Sequence, residues 1–325
     1  MEPTDFPAIL CHGERGTGLW QGLLQASGRL LCEAAAGPLE PWRRLPCGEC
    51  PGCRLWRSGN HPDLRLVVPA ALAADLGVEQ GALPPNAQAA PAQARGGGRE
   101  IAIDQVRALI DWAQATSHRG GVKVALVHPL DAMAAPAANA LLKLLEEPAP
   151  GLWLLAGSYR LDRVLPTVRS RCLLRAWKRP SPKEALAELQ RQGLAEAQAV
   201  ASWSRQAVFD ADPARGLQWA RKLIEQLAAG GLPQPDSIEL PVAIEALQKI
   251  SLDMLRCRAG LDPLYLPGLD EPLRRLGGQG DSGGWQRWIT RLAQASASRA
   301  IALHGPLALQ AWVVEWSQLC TTGAN

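Results

Sequence analysis

The residues with the plainest chemistry are sulfur ligands. Cys47, Cys50 and Cys53 form C-x2-C-x2-C, and Cys32 precedes Cys47 by fifteen positions at the end of a predicted helix. Four thiolates satisfy a tetrahedral Zn2+, and close spacing lets one turn of backbone present several sulfurs to one ion. Gly48, Pro51 and Gly52 between the cysteines suit a tight knuckle. An iron–sulfur pattern would want a further Cys four positions after Cys53, followed by Pro; Arg57 stands there. Four protein ligands leave no open coordination position, so a structural Zn2+ on Cys32, Cys47, Cys50 and Cys53 is expected to hold the loop rather than act on a substrate. The scattered Cys11, Cys172, Cys257 and Cys320 read as small buried hydrophobes.

A second constellation is a phosphate loop without its reactive side chains. Gly13-Glu14-Arg15-Gly16-Thr17-Gly18-Leu19-Trp20 has the glycine spacing of G-x-x-x-x-G-K-[ST] and lies between an apolar strand and a helix. Leu19 occupies the place of the phosphate-binding Lys, and Trp20 that of the hydroxyl that ligates Mg2+. After the apolar run Val124–Val127, where a working site has an Asp-Glu pair, the chain reads His128-Pro129-Leu130-Asp131. Charge neutralisation and the metal contact are both missing. The loop of Gly13, Gly16, Gly18, Leu19 and Trp20 is therefore expected to keep its shape and to have no functional ATP site.

The elements around these residues follow a βα pattern. Short apolar runs at Ala8–Cys11, Leu64–Val68, Val122–Val127 and Leu152–Ala156 read as buried strands with helical periodicity between them, which implies a parallel sheet covered by helices. Residues 69–98, dominated by Ala, Pro, Gln and Gly, interrupt this as an exposed low-complexity insertion. From Ser181 onward strand signals vanish. Ser181-Pro182-Lys183-Glu184 reads as an N-cap, a first-turn proline and a capping-box glutamate. Leu217, Ala220, Leu223, Ile224 and Leu227, and then Ile244, Leu247 and Met254, recur at helical spacing, so the second half is all-helical. Trp312 and Trp316 lie four apart on a helix over Leu307–Leu319 and suit either core packing or a face buried against partner subunits.

At 325 residues with 47% hydrophobic content the chain suits two or three folded domains and is not a disordered protein. Its 34 basic and 31 acidic residues, a formal +3, argue against a dedicated polybasic nucleic-acid binder. No apolar stretch reaches the 18 or so residues of a membrane span, and the start lacks a signal-peptide pattern. A cytoplasmic protein is expected, where reduced thiols favour metal ligation over disulfides.

Three blocks carry a family resemblance. Val124-Ala125-Leu126-Val127, then Asn139-Ala140-Leu141-Leu142-Lys143-Leu144-Leu145-Glu146-Glu147-Pro148, then Leu165-Pro166-Thr167-Val168-Arg169-Ser170-Arg171-Cys172 resemble the bacterial clamp-loader family in that order. The position of the cysteine cluster also matches. The resemblance covers about residues 5–175 apart from the insertion and thins out in the helical half. Within that family the gamma/tau subunits keep a complete nucleotide site, whereas the delta-prime branch has a degenerate one and retains S-R-C, and this chain resembles the latter.

The resemblance implies an AAA+ module over 1–176, with its zinc module at about 32–60. It further implies a small helical lid over 177–212 and a helical collar over 213–325 that joins a five-subunit ring. It implies gamma/tau and delta subunits as partners, and the sliding clamp and primed DNA through the complex. The chain would be a component of the DNA-directed DNA polymerase holoenzyme, a nucleotidyltransferase complex, with no ATP hydrolysis of its own. Arg171 matches an arginine finger reaching a neighbouring ATP site, with Ser170 and Thr167 positioning its loop.

Ser158 matches a sensor hydroxyl and, without a nucleotide, reads as a turn former. The lid's sensor arginine aligns with Ala214, one place from Arg215. Lys143 and Glu146, three apart on one helix, suit contact with DNA or a subunit, or a solvated ion pair. The alternative class is a zinc-dependent nucleic-acid binder, for which Arg43, Arg44, Arg54 and Arg57 with Trp42 and Trp56 flank the cysteines.

Overall fold

The computed structural model describes residues 8–34, 42, 45–73, 98–205, 207–209, 212, 214–231, 238–277, 282–297 and 305–321. The chain divides into two compact units, Met1–Arg179 and Pro180–Asn325.

The first unit is built on a parallel sheet of five strands: β1 (Ala8–His12), β2 (Leu64–Val67), β3 (Lys123–Val127), β4 (Leu152–Ser158) and β5 (Leu173–Ala176), in the order β2-β3-β4-β1-β5. Four of these are the apolar runs expected. β5 was not expected; it pairs with β1 as an edge strand whose four residues are all exposed, so it carries no burial pattern. The helices of this unit are α1 (Leu19–Leu30), α2 (Pro51–Arg57), α3 (Ile103–Gln114), α4 (Ala135–Glu146) and the single turn α5 (Pro166–Arg169).

Period-two alternation sorts the strand residues onto two faces. Ala8, Leu10, Ala125, Val127, Leu154 and Ala156 pack with Val106, Leu109, Leu141 and Leu144 of α3 and α4. Ile9, Cys11, Val124, Leu126, Trp153 and Leu155 pack with Leu19, Trp20, Leu23 and Leu30 of α1. Burial on both faces explains why β3 and β4 read as unbroken apolar runs.

Lys123 is the exception at the start of β3. Its ammonium lies 4.2 Å from the Trp112 ring and donates to the Trp112 and Ala115 carbonyls, which closes the C-terminal end of α3 against the sheet.

Ala71 donates its N–H to the Gly98 carbonyl at 3.0 Å, so the chain leaves and re-enters at one point, as an insertion must. Residues 74–97 of the expected insertion lie outside the described residues, as do Arg43 and Arg44.

The second unit is helical, as expected: α6 (Pro182–Arg191), α7 (Ala197–Ser204), α8 (Arg215–Ala228), α9 (Leu240–Arg258), α10 (Asp270–Gly277), α11 (Ser282–Ala297) and α12 (Gly305–Thr321). The capping box at Ser181 forms in full: Ser181 Oγ accepts from the Glu184 N–H, and the Glu184 carboxylate accepts from the Ser181 N–H at 2.7 Å. One hydrophobic cluster runs from Ala185 to Cys320. Trp316 is fully buried in it, and Trp312 is half-buried against Trp288 with ring centroids 5.7 Å apart. Of the two readings open for this pair, core packing holds within the chain. Asp253, also fully buried, accepts three backbone N–H groups, from Leu264, Tyr265 and Leu266, and so fixes the turn after α9.

Among the described residues no helix is long and apolar enough to cross a membrane.

Candidate functional sites

The four cysteines converge. All four sulfurs lie within 4.8 Å of one another, with Cys32–Cys50 at 4.0 Å and Cys47–Cys53 at 3.8 Å. A tetrahedral ion with metal–sulfur bonds of about 2.3 Å needs sulfurs about 3.8 Å apart, so the quartet fits a single metal ion. Cys32 lies just past α1, while Cys50 is the N-cap of α2 and accepts the Cys53 N–H at 3.4 Å. The Cys47 and Cys50 N–H groups donate to Cys32 and Cys47 Sγ, both at 3.5 Å. This chain of N–H donors onto sulfur favours thiolates.

For Cys50, burial works upward, but the Cys53 N–H and thiol outweigh it and hold the thiol down at about 6. Cys53 is pushed up to about 12 by burial. The knuckle is tied to the rest of the unit at two points, α1 and the loop before β3. Trp56 Nε1 donates to Ser27 Oγ at 3.1 Å, and Glu33 pairs with Arg119 at 2.6 Å. Cys11, Cys172, Cys257 and Cys320 are all buried, as expected.

Core side chains pack around residues 13–20. Gly18 caps α1 with φ 84°, a left-handed conformation that glycine adopts without steric cost. Leu19 and Trp20, in place of Lys and Ser/Thr, are core residues only 1% and 4% exposed. Trp20 stacks on His128 with centroids 5.3 Å apart, which joins the two positions that a nucleotide's metal would otherwise separate. His128 meets Tyr159 edge-on, its Nε2 2.9 Å from the phenol oxygen, and Arg15 lies 5.1 Å from the Tyr159 ring centroid.

From the other side Trp177 closes over the loop. Its Nε1 donates to the Thr17 carbonyl at 3.1 Å, and a Cβ on Gly22 would lie 1.9 Å from its ring, so only glycine admits it there. Arg179 pairs with Glu14 beside it.

Burial pushes His128 down to about 4, so the ring is neutral at physiological pH. Its folded value lies below the ordinary 6.5, so the unfolded chain binds the extra proton first. Stability should therefore be fully present above about pH 6.5 and fall as the pH drops toward 4. At about 1.4 kcal/mol per unit this amounts to ~3 kcal/mol. Urea titrations at pH 7 and pH 4.5 should show that loss in the parent chain and a smaller one in His128→Phe; equal losses would count against it.

Ser158 forms a turn, and its hydroxyl reaches beyond it. It is the buried last residue of β4, donates to Asp131 Oδ1 at 2.8 Å and accepts the Arg160 N–H at 3.2 Å. Asp131 also accepts the Tyr159 N–H, so this hydroxyl fixes the loop that carries the Tyr159 ring.

Arg171 and its neighbours lie on the surface. Thr167, Ser170 and Arg171 are exposed, while Val168 and Cys172 between them are buried and anchor the turn. Ser170 Oγ donates to the Thr167 carbonyl at 3.1 Å and Arg171 donates to the same carbonyl at 2.9 Å. The second terminal nitrogen of Arg171 is 2.7 Å from Glu146 Oε1. Glu146 thus pairs across the fold with Arg171 rather than along the helix with Lys143. Tyr159 and Trp177 were not singled out by sequence reasoning, and Glu146 was singled out only with Lys143. Each acts across more than 20 residues of chain, where no periodicity signals it.

The family described as "DNA polymerase III, delta subunit" matches residues 5–180, more than half the chain. A DNA polymerase III subunit delta-prime from Pseudomonas aeruginosa is 30% identical over 336 aligned positions, covering 96% of this chain and 92% of that protein. The chain belongs to the DNA polymerase III delta-prime family. The delta-prime subunit of Escherichia coli is 27% identical over 258 positions, covering 74% of this chain and 68% of its own length. Among solved structures, a DNA polymerase III gamma subunit-related protein from Thermotoga maritima overlaps 79% of this chain and 94% of its own, with 19% identity and a TM-score of 0.38, too loose a likeness to place any residue. The five-stranded parallel sheet with its many helices fits the clamp-loader architecture expected of this delta-prime family member.

Proposed function

We propose that this chain is a delta-prime-type subunit that helps load the sliding clamp on primed DNA, hydrolyses no ATP itself, and contributes Arg171 to the ATP site of an adjoining gamma/tau subunit. One observation supports the reading: the two positions where a phosphate loop carries its lysine and its hydroxyl hold side chains buried in the chain's own core. Leu19 and Trp20 are buried, Trp20 stacks on His128, and Trp177 covers Gly22. A guanidinium exposed on the surface, by contrast, suits a role in trans, because it can stabilise charge on a transferring γ-phosphoryl without a site of its own.

In this reading Zn2+ occupies Cys32, Cys47, Cys50 and Cys53 and keeps the knuckle on α1. The helical half divides into a lid over 177–212 and a collar over 213–325, the collar joining gamma/tau and delta subunits in the cytoplasm. The alternative of a zinc-dependent nucleic-acid binder loses support from its aromatics. Trp56 is spent on Ser27, and Trp42 lies against Trp177 with centroids 6.1 Å apart.

The purified chain should show no steady ATP turnover and no heat of binding for Mg-ATP in titration calorimetry. Turnover that co-purifies with the chain and is abolished by a substitution at Gly18 would sink the reading. The partner assignment is tested by mixing with candidate gamma/tau and delta subunits and measuring native mass, where failure to form a ring with either would count against it.

A further inference from the structure

The fork of Arg171 is already taken. One terminal nitrogen donates to the Thr167 carbonyl at 2.9 Å and the other sits 2.7 Å from Glu146 Oε1. These two nitrogens form the edge with which a guanidinium grips a carboxylate or a phosphate bidentately. Glu146 ends α4, a position where the negative end of the helix dipole disfavours an acid, so the helix itself gives this carboxylate no support. Its counter-ion is Arg171, brought to it from 25 positions away by the packing of α5 on α4.

We propose that Glu146 parks Arg171: the carboxylate stands in for a phosphate while no nucleotide faces the loop, and releases the guanidinium when the γ-phosphate of a neighbour's ATP arrives. This rests on the reading of Arg171 as an arginine finger. Both side chains are well exposed, 38% for Arg171 and 50% for Glu146, so water weakens the pair and a phosphate bearing more charge can displace the carboxylate. Thr167 keeps its hold on the other nitrogen, so the guanidinium pivots rather than swings free. Glu146 is then a positioning residue, and breaking its ion pair is part of the work of nucleotide binding at the adjoining site.

The experiment uses the reconstituted complex in which only the subunit facing Arg171 retains its phosphate-loop lysine, so one site is read. Glu146→Gln keeps the shape and one hydrogen-bond acceptor but removes the charge. It should lower the KM for ATP and the Kd for ATPγS by roughly two- to fivefold with kcat changed less, and the gain should shrink at high salt because the competing charge is partly exposed. In an Arg171→Ala background the same substitution should have no effect.

A KM unchanged by Glu146→Gln, in a complex whose turnover does fall with Arg171→Ala, overturns the parking role and leaves the finger standing. A raised KM or a reduced kcat also overturns it, since Glu146 would then be aiming the guanidinium rather than competing for it. If Arg171→Ala has no effect either, the finger reading itself has failed.

Discussion

Zn2+ is expected on the four cysteines, and stripping it should unfold the region around α2 and lower the stability of the first unit, with no change in the second. Four cysteine sulfurs converge to within 4.8 Å on a segment whose own elements are a seven-residue helix and a turn, too little to bury a core. Metal binding free energy is folding free energy in such modules. The docking contacts of Trp56 on Ser27 and Glu33 on Arg119 remain without the ion, so the loss should resemble that of a native crosslink in a small domain, about 2–5 kcal/mol. Cys50→Ser should reproduce it, because Cys50 caps α2 and would also ligate the metal.

The check is metal content together with calorimetry of the full chain. One zinc per chain is expected, and the transition of the first unit should move down while that of the helical unit, with its separate core, stays put. Protein purified without chelator that contains no zinc, or an unchanged melting profile for Cys50→Ser, would refute the structural role. Because the ligands are thiolates, metal uptake by the stripped chain should release protons and weaken in acid.

The second large effect belongs to Arg171. Arg171→Ala should fold and assemble normally, since its contacts are one backbone carbonyl and one exposed ion pair, together worth about 1 kcal/mol or less. ATP hydrolysis by the neighbouring subunit, stimulated by clamp and primed DNA, should fall. Loss of an arginine finger costs about 10³–10⁵ at a single site in well-studied cases. The whole complex should lose less, because its other sites draw fingers from other subunits. Arg171→Lys should recover little, as a point charge cannot reproduce the two-pronged edge that now meets Thr167 and Glu146. Normal clamp loading by the Arg171→Ala complex would show the S-R-C turn to be a structural feature only.

Much of this was legible one residue at a time, for local reasons. The cysteine knuckle is written in spacing because three of its ligands lie within seven residues and need only a turn to meet. The capping box at Ser181 and the left-handed Gly18 are likewise local backbone chemistry. β1 to β4 showed themselves because strands covered on both faces are mostly apolar, Arg65 and Lys123 excepted. The loss of the phosphate-binding lysine and of the acidic pair could be read from residue types alone.

What replaced those groups could not. That Trp20 and His128, 108 positions apart, stack on each other depends on the start of α1 and the end of β3 being brought together. That Trp177 closes over Gly22 depends on β5 returning beside β1, and β5 is a fully exposed edge whose residues carry no alternation to betray it. Ser158 was legible as a turn former because its bond to the Arg160 N–H is local, whereas its bond to Asp131, on another strand's loop, was not. Glu146 looked like the partner of Lys143 because helix spacing is visible in a sequence and the approach of a separate turn is not. Periodicity and spacing thus determined the elements, the metal ligands and the missing chemistry, since those depend on local geometry and burial. Which faces meet, and therefore what packs around the phosphate loop and what holds Arg171, was decided only by close packing of the folded chain.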